Sequence, residues 1–129
     1  SAASDVYKRQ ALALVATGFG YEADRRAAQA ELLTKLLPNV RDIRRIGAAA
    51  LDLCRVAEGT VDAYFEHGIN AWDFAAGAII AREAGAVVRH PGFDKGSADG
   101  ELTWAAGADL APAFEKLLAA HRATDALRG

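Results

Sequence analysis

The chain has 129 residues, of which 52% are apolar and 25% charged, with a formal net charge of −2. That length fits one domain and that balance a soluble globular one, and the weak negative charge points to no nucleic-acid partner and no membrane surface. Apolar runs break well before the roughly 18 residues of a membrane span, the head lacks a signal-peptide pattern, and the lone Cys54 closes no internal disulfide, so the expected location is cytoplasmic.

Residues 1–10 (SAASDVYKRQ) show no clear period and precede an abrupt strand signal. They are set apart as a head that need not be native or ordered, and the domain is taken as 11–129. A domain opening in mid-strand suggests a chain without its natural beginning.

Ala11 to Thr17 is a nearly continuous apolar run ending at Gly18, the pattern of a strand buried on both faces. TGFGY, from Thr17 to Tyr21, reads as a turn with two packing aromatics. It does not fit GxGxxG or the P-loop pattern, because no Lys-Ser/Thr follows. Asp24 is expected to cap a helix from about Arg25 to Leu37, with Ala27, Ala30, Leu33 and Leu37 inward. Pro38 and Asn39 end it. Val40 to Ile46 alternates as a half-buried strand. Its Arg41, Arg44 and Arg45 read either as a solvated face with salt bridges or as a guide for an anionic substrate.

Gly47 opens a second helix, with Ala50, Leu53, Cys54 and Ala57 as its apolar stripe and Gly59 as its stop. Val61 to Glu66 is a strand, and His67 to Asn70 a loop. His67 reads as an exposed loop histidine, and Glu66, by pattern alone, as a solvated charge. A third helix spans Trp72 to Ala84, with small residues that permit close packing. Ala86 to Arg89 is a strand, His90 to Gly100 a loop rich in turn formers, and Leu102 to Ala106 the last strand. Asp109 is expected to cap a helix from Leu110 to His121, followed by a frayed polar tail. Strands and helices that alternate in this way predict an α/β layered domain with a mixed sheet. No Cys/His spacing indicates zinc.

Asp73 falls at the start of a helix, just after a strand and loop. By position alone it is either a helix cap or a carboxylate aimed outward, where oxygen ligands suit magnesium. The stretch WDFAAGAIIAREAGA, from Trp72 to Ala86, resembles the second signature of the inositol monophosphatase family: Trp-Asp-x-Ala-Ala/Gly-Gly, an apolar run, then Glu-Ala-Gly-Gly or Glu-Ala-Gly-Ala. Upstream, RRIGAAALDLCRVAEGTVDAYFEHGINAWD, from Arg44 to Asp73, is similar to the family's Gly-Ser-Ala-Ala-Leu-Asp-Leu-Cys helix and its Asp-Ala/Gly-Tyr-Tyr/Phe/Trp-Glu strand.

The resemblance implies several expectations. The fold is the C-terminal half of the family's αβαβα sandwich, a layered mixed sheet flanked by helices. Asp73 is a magnesium ligand close to the leaving group. Glu66 accepts hydrogen bonds from substrate hydroxyls, and Gly47, Ala48 and Ala49 line the same pocket with backbone groups. The activity is magnesium-dependent hydrolysis of inositol monophosphate or a similar small phosphorylated alcohol, by a homodimer. Histidinol phosphate, fructose bisphosphate and adenosine 3′,5′-bisphosphate are the alternative substrates within the superfamily.

Two departures bear on these expectations. Ala48 replaces the family's Ser or Thr. More seriously, no Asp-Pro occurs anywhere in the chain, so the Asp-Pro-Ile/Leu-Asp-Gly-Thr signature that holds most of the metal is absent. The chain therefore resembles half of an enzyme, inactive alone and partnered by the missing N-terminal half. The competing reading is a non-catalytic α/β module that packs against a partner chain.

Overall fold

A computed structural model describes residues 9–128. The expectation for the head falls mostly on residues 1–8, outside that range. Arg9 to Ala11 form the end of a helical turn, so the first strand starts later than its apolar run suggested. The chain order is β1 (Leu14–Thr17), α1 (Ala23–Leu36), a 3₁₀ turn (Leu37–Asn39), β2 (Asp42–Arg44), α2 (Ala49–Glu58), β3 (Ala63–His67), α3 (Ala71–Glu83), β4 (Val87–Arg89), a 3₁₀ turn (Ser97–Asp99), β5 (Leu102–Ala106) and α4 (Ala111–Ala120).

The five strands form one mixed sheet in the order β2-β1-β3-β5-β4. β1 runs parallel to β2 and β3, and β5 runs antiparallel to β3 and β4. Each parallel step crosses through a helix, as a parallel pair requires. The α/β layered mixed sheet expected from the sequence is the fold observed. One face carries a core of Val15, Phe65, Trp104, Leu32, Phe114 and Leu118 under α1 and α4. The other carries Ala16, Tyr64, Leu53, Phe74, Ala78 and Val88 under α2 and α3. No helix among the described residues is long and apolar enough to cross a membrane.

Helix α1 turns a different face inward from the expected one. Arg25, Gln29, Leu32 and Leu36 are buried, whereas Ala27, Ala30 and Leu37 are exposed. The two polar residues are tolerated because each meets backbone partners. Gly20 N donates to Gln29 Oε1 at 2.9 Å, and Arg25 Nε donates to Leu127 O at 2.7 Å. Asp24 lies in the first turn and is not the cap, which is Glu22 without a side-chain bond. Asp109 is not a cap either; it pairs with Arg9 at 3.5 Å. The tail is tied down and not frayed. Ala123 is buried, and Leu127 N donates to Gly100 O at 2.8 Å.

Helices α2 and α3 meet through Gly77. A Cβ there would stand 2.8 Å from Leu53 Cβ and 3.4 Å from the Ala50 carbonyl oxygen. That space explains the glycine of WDFAAG as a packing residue. Gly77→Val is expected to force the helices apart and lower stability by about 2 kcal/mol, within the usual cost of overpacking a core. Urea unfolding checks it, and an unchanged midpoint would show that the interface yields freely.

Candidate active site

The carboxyl ends of the parallel strands β1 and β3 converge on the N-termini of α2 and α3. Ligands of open α/β sheets bind at such edges. A pocket of about 490 Å³ opens there, and Gly47, Ala48, Ala49, Glu66 and Asp73 all line it. The five residues singled out in the sequence are thus brought together from two helix starts and one strand end. A larger cavity, about 660 Å³, lies at the opposite edge beside Val56, Val61, Gly85 and Leu110 and holds none of them.

Gly47 has φ +91°, in the left-handed region that glycine enters without strain, and this turn delivers the chain into α2. α2 therefore begins at Ala49, two residues later than expected. Asp52 N donates to Ala48 O at 3.0 Å, the first bond of the helix. The N–H groups of Ala49, Ala50 and Leu51 precede it and have no helical acceptor. They form a partial positive charge at the pocket wall, suited to an anion or to hydroxyl oxygens. Arg45, one of the basic cluster Arg41, Arg44 and Arg45, lines the same wall beside Gly47. Arg44 instead pairs with Asp42 at 3.0 Å on the outside.

Asp73 is the third residue of α3, after the cap position Asn70. Its carboxyl makes no capping bond, so the cap reading does not describe it. It lies exposed in the first turn, where the helix dipole favours its negative charge. The Asn70 side chain is likewise engaged elsewhere, its Oδ1 accepting from Ser97 N at 2.8 Å.

Glu66 is half-buried in the pocket, short of the fully solvated charge that pattern alone suggests. Tyr64 Oη donates to Glu66 Oε1 at 2.8 Å. Burial pushes the Glu66 carboxyl above its usual range, while the Tyr64 hydrogen bond and the Arg45 guanidinium pull it back down. His67 corrects the sequence reading. It is the last residue of β3, opposite Leu102, and almost fully buried. Its ring points to the face away from Glu66, and Nε2–H donates to Ala123 O at 2.6 Å. Burial lowers its pKa, so it stays a neutral structural donor. Of the two aromatics in TGFGY, Phe19 packs under Arg26, 5.9 Å from ring centroid to guanidinium, whereas Tyr21 is exposed.

Magnesium binds through one or two protein carboxylates, with water and substrate phosphate completing its shell. Asp73 fits as one such ligand. Among the described residues, no three His, Cys, Asp or Glu side chains converge, so the set is partial.

Residues 3–126 match the inositol monophosphatase family. The chain belongs to that family. It is 64% identical to an inositol-1-monophosphatase of Mycobacterium leprae over 80 residues, 62% of this chain and 28% of that protein. Over 76 residues it is 49% identical to the Nus factor SuhB of Pasteurella multocida, 58% of this chain and 28% of that one. Among solved structures, Mycobacterium tuberculosis SuhB superposes with a TM-score of 0.79 at 46% identity, covering 90% of this chain and 44% of that chain. An inositol monophosphatase from Anabaena gives 0.71 at 31%, covering 86% and 44%. The chain thus spans less than half the length of these inositol monophosphatase relatives, and its five-stranded sheet with flanking helices is the corresponding part of their fold.

Proposed function

We propose that this chain supplies the substrate-reading part of a magnesium-dependent phosphatase acting on inositol monophosphate or a similar small phosphorylated alcohol. One observation carries the reading: Gly47, Ala48, Ala49, Glu66 and Asp73 share a single pocket. Asp73 offers a carboxylate oxygen at the mouth. Glu66 accepts hydrogen bonds from substrate hydroxyls at the floor. The free N–H groups at the start of α2 and the Arg45 guanidinium hold negative oxygens of the substrate against one wall. Magnesium bound with Asp73 would supply activation of a water and stabilisation of the leaving alkoxide. The remaining ligands belong to a polypeptide segment outside this chain, which leaves the chain inactive alone.

The test is magnesium-dependent release of phosphate from inositol 1-phosphate, by this chain and by the polypeptide extended with its upstream coding region. Turnover by the extended form alone supports the reading. Turnover by the chain alone would overturn the partial-site account. The relative named Nus factor SuhB, at 49% identity, favours a second reading in which the same fold docks on a partner chain without chemistry. That reading wins if the extended form releases phosphate from none of the small phosphorylated alcohols.

A further inference from the structure

Residues two apart on a strand point to the same face of a sheet. Tyr64 and Glu66 therefore both rise toward α2 and α3, while Phe65 and His67 descend toward α1 and α4. Tyr64 is wholly buried in the apolar layer, and the Glu66 carboxyl at the pocket floor accepts a hydrogen bond from its hydroxyl. Burial first, and then the neighbouring Glu66 charge, keep that hydroxyl protonated far beyond neutral pH, so it acts as a permanent donor.

A second element confines the same carboxyl from the side. A Cβ at Gly18 would meet Glu66 Oε1 most closely, and would stand 2.6 Å from Cδ and 2.7 Å from Oε2. Those distances are far shorter than real contacts, so the bare backbone of Gly18 is what lets the carboxyl lie there. Glu66 is thus confined in two ways, by the Tyr64 hydroxyl bonded to Oε1 and by the Gly18 backbone beside the carboxyl as a whole.

We propose that Tyr64 and Gly18 are positioning residues that hold the Glu66 carboxylate in one orientation, making it a selector for phosphorylated polyols over phosphate esters that carry no free hydroxyl. The proposal rests on the phosphatase reading above. A free glutamate has three rotatable bonds and would spend binding energy on ordering them. A clamped one presents its unshared lone pairs in fixed directions, which suits neighbouring hydroxyls and gives nothing to an ester without them. Sites built to bond a hydroxyl discriminate strongly against ligands that lack it.

The experiment has two arms. In the extended, active polypeptide, Tyr64→Phe keeps the ring and removes the hydroxyl. Expected is a three- to tenfold rise in KM for inositol 1-phosphate, the range for one lost hydrogen bond, with kcat changed less than about twofold. KM for a simple alkyl phosphate stays as it was. Gly18→Ala, which pushes on the carboxyl and leaves Tyr64 in place, gives the same split. An equal change for both esters, or none for either, overturns the proposal.

The second arm needs no activity. In this chain, the ¹³Cδ resonance of Glu66, assigned by its loss in Glu66→Gln, moves at fixed pH in Tyr64→Phe. A resonance that stays put shows that the clamp does not hold the carboxyl, and the proposal falls. A resonance that moves in a polypeptide with no phosphatase activity sinks the phosphatase reading and with it the role in selection, while the contact itself stands.

Discussion

Asp73→Asn is expected to lower magnesium-dependent phosphate release by the extended polypeptide more than about 100-fold while costing less than about 1 kcal/mol of stability. The two parts of that result come from different physics. Asparagine matches aspartate in shape, and Asp73 is exposed, with no side-chain capping bond to lose. What stability it lends is the interaction of a negative charge with the start of α3, worth about 0.3–1 kcal/mol. Its chemical weight is larger. An amide oxygen is a poor substitute for a carboxylate on magnesium, and loss of even an outer partner of a metal site costs about 10–100-fold. Thermal unfolding and phosphate release, measured on the same preparation, separate these contributions. If activity survives, Asp73 is only a charge at a helix start. If the fold fails, the packing of α3 has been misread.

That contrast bears on how much of the site the sequence displayed. Asp73 and Glu66 were visible because each stands in a run of fixed order, Trp-Asp-Phe-Ala-Ala-Gly and Asp-Ala-Tyr-Phe-Glu, and the structure brings both to one pocket with Gly47, Ala48 and Ala49. The β5 strand, Leu102–Ala106, was also visible, because its apolar run is bounded by Gly100 and Gly107. The inward face of α1 was not. Periodicity counts apolar residues, whereas Arg25 is buried for its hydrogen bond to the distant Leu127 carbonyl and Gln29 for its bonds to the Gly18–Gly20 loop just before the helix. His67 was missed for a similar reason. Its partner, the Ala123 carbonyl, lies 56 residues on, and no local pattern announces it. Tyr64 and Asp52 were within reach. A period of two places Tyr64 beside Glu66, and a helical period places Asp52 with Leu53 and Val56 on the inward face of α2. Both were passed over because a buried carboxylate, and a tyrosine hydroxyl inside an apolar layer, run against the usual partition of residues.

Asp52→Asn is expected to stabilise this chain at alkaline pH and to do nearly nothing in acid. Asp52 is completely buried, and neither carboxyl oxygen has a hydrogen-bond partner among the described residues. Burial raises its pKa from 3.8 to about 7, the Glu66 charge adds to the rise, and Arg55 and Arg45 oppose it. The folded state therefore holds this proton more tightly than the unfolded chain does. Its contribution is fully present below about pH 4, is lost as pH rises toward 7, and levels off above that. At full strength the interval corresponds to about 4 kcal/mol, and to about 2 kcal/mol once relaxation of the protein around the buried charge is allowed for. Asparagine cannot ionise, so the variant escapes this loss. The stability difference between variant and native chain, from urea unfolding, should grow by about 2–4 kcal/mol between about pH 4 and about pH 8. Because every other group titrates alike in both proteins, the difference isolates Asp52. A difference that does not change with pH would mean that the carboxyl is solvated or paired in solution. A positive outcome would mean that α2 keeps a buried ionisable group within the electrostatic reach of Glu66 at a cost to its own fold, as residues kept for a site commonly do.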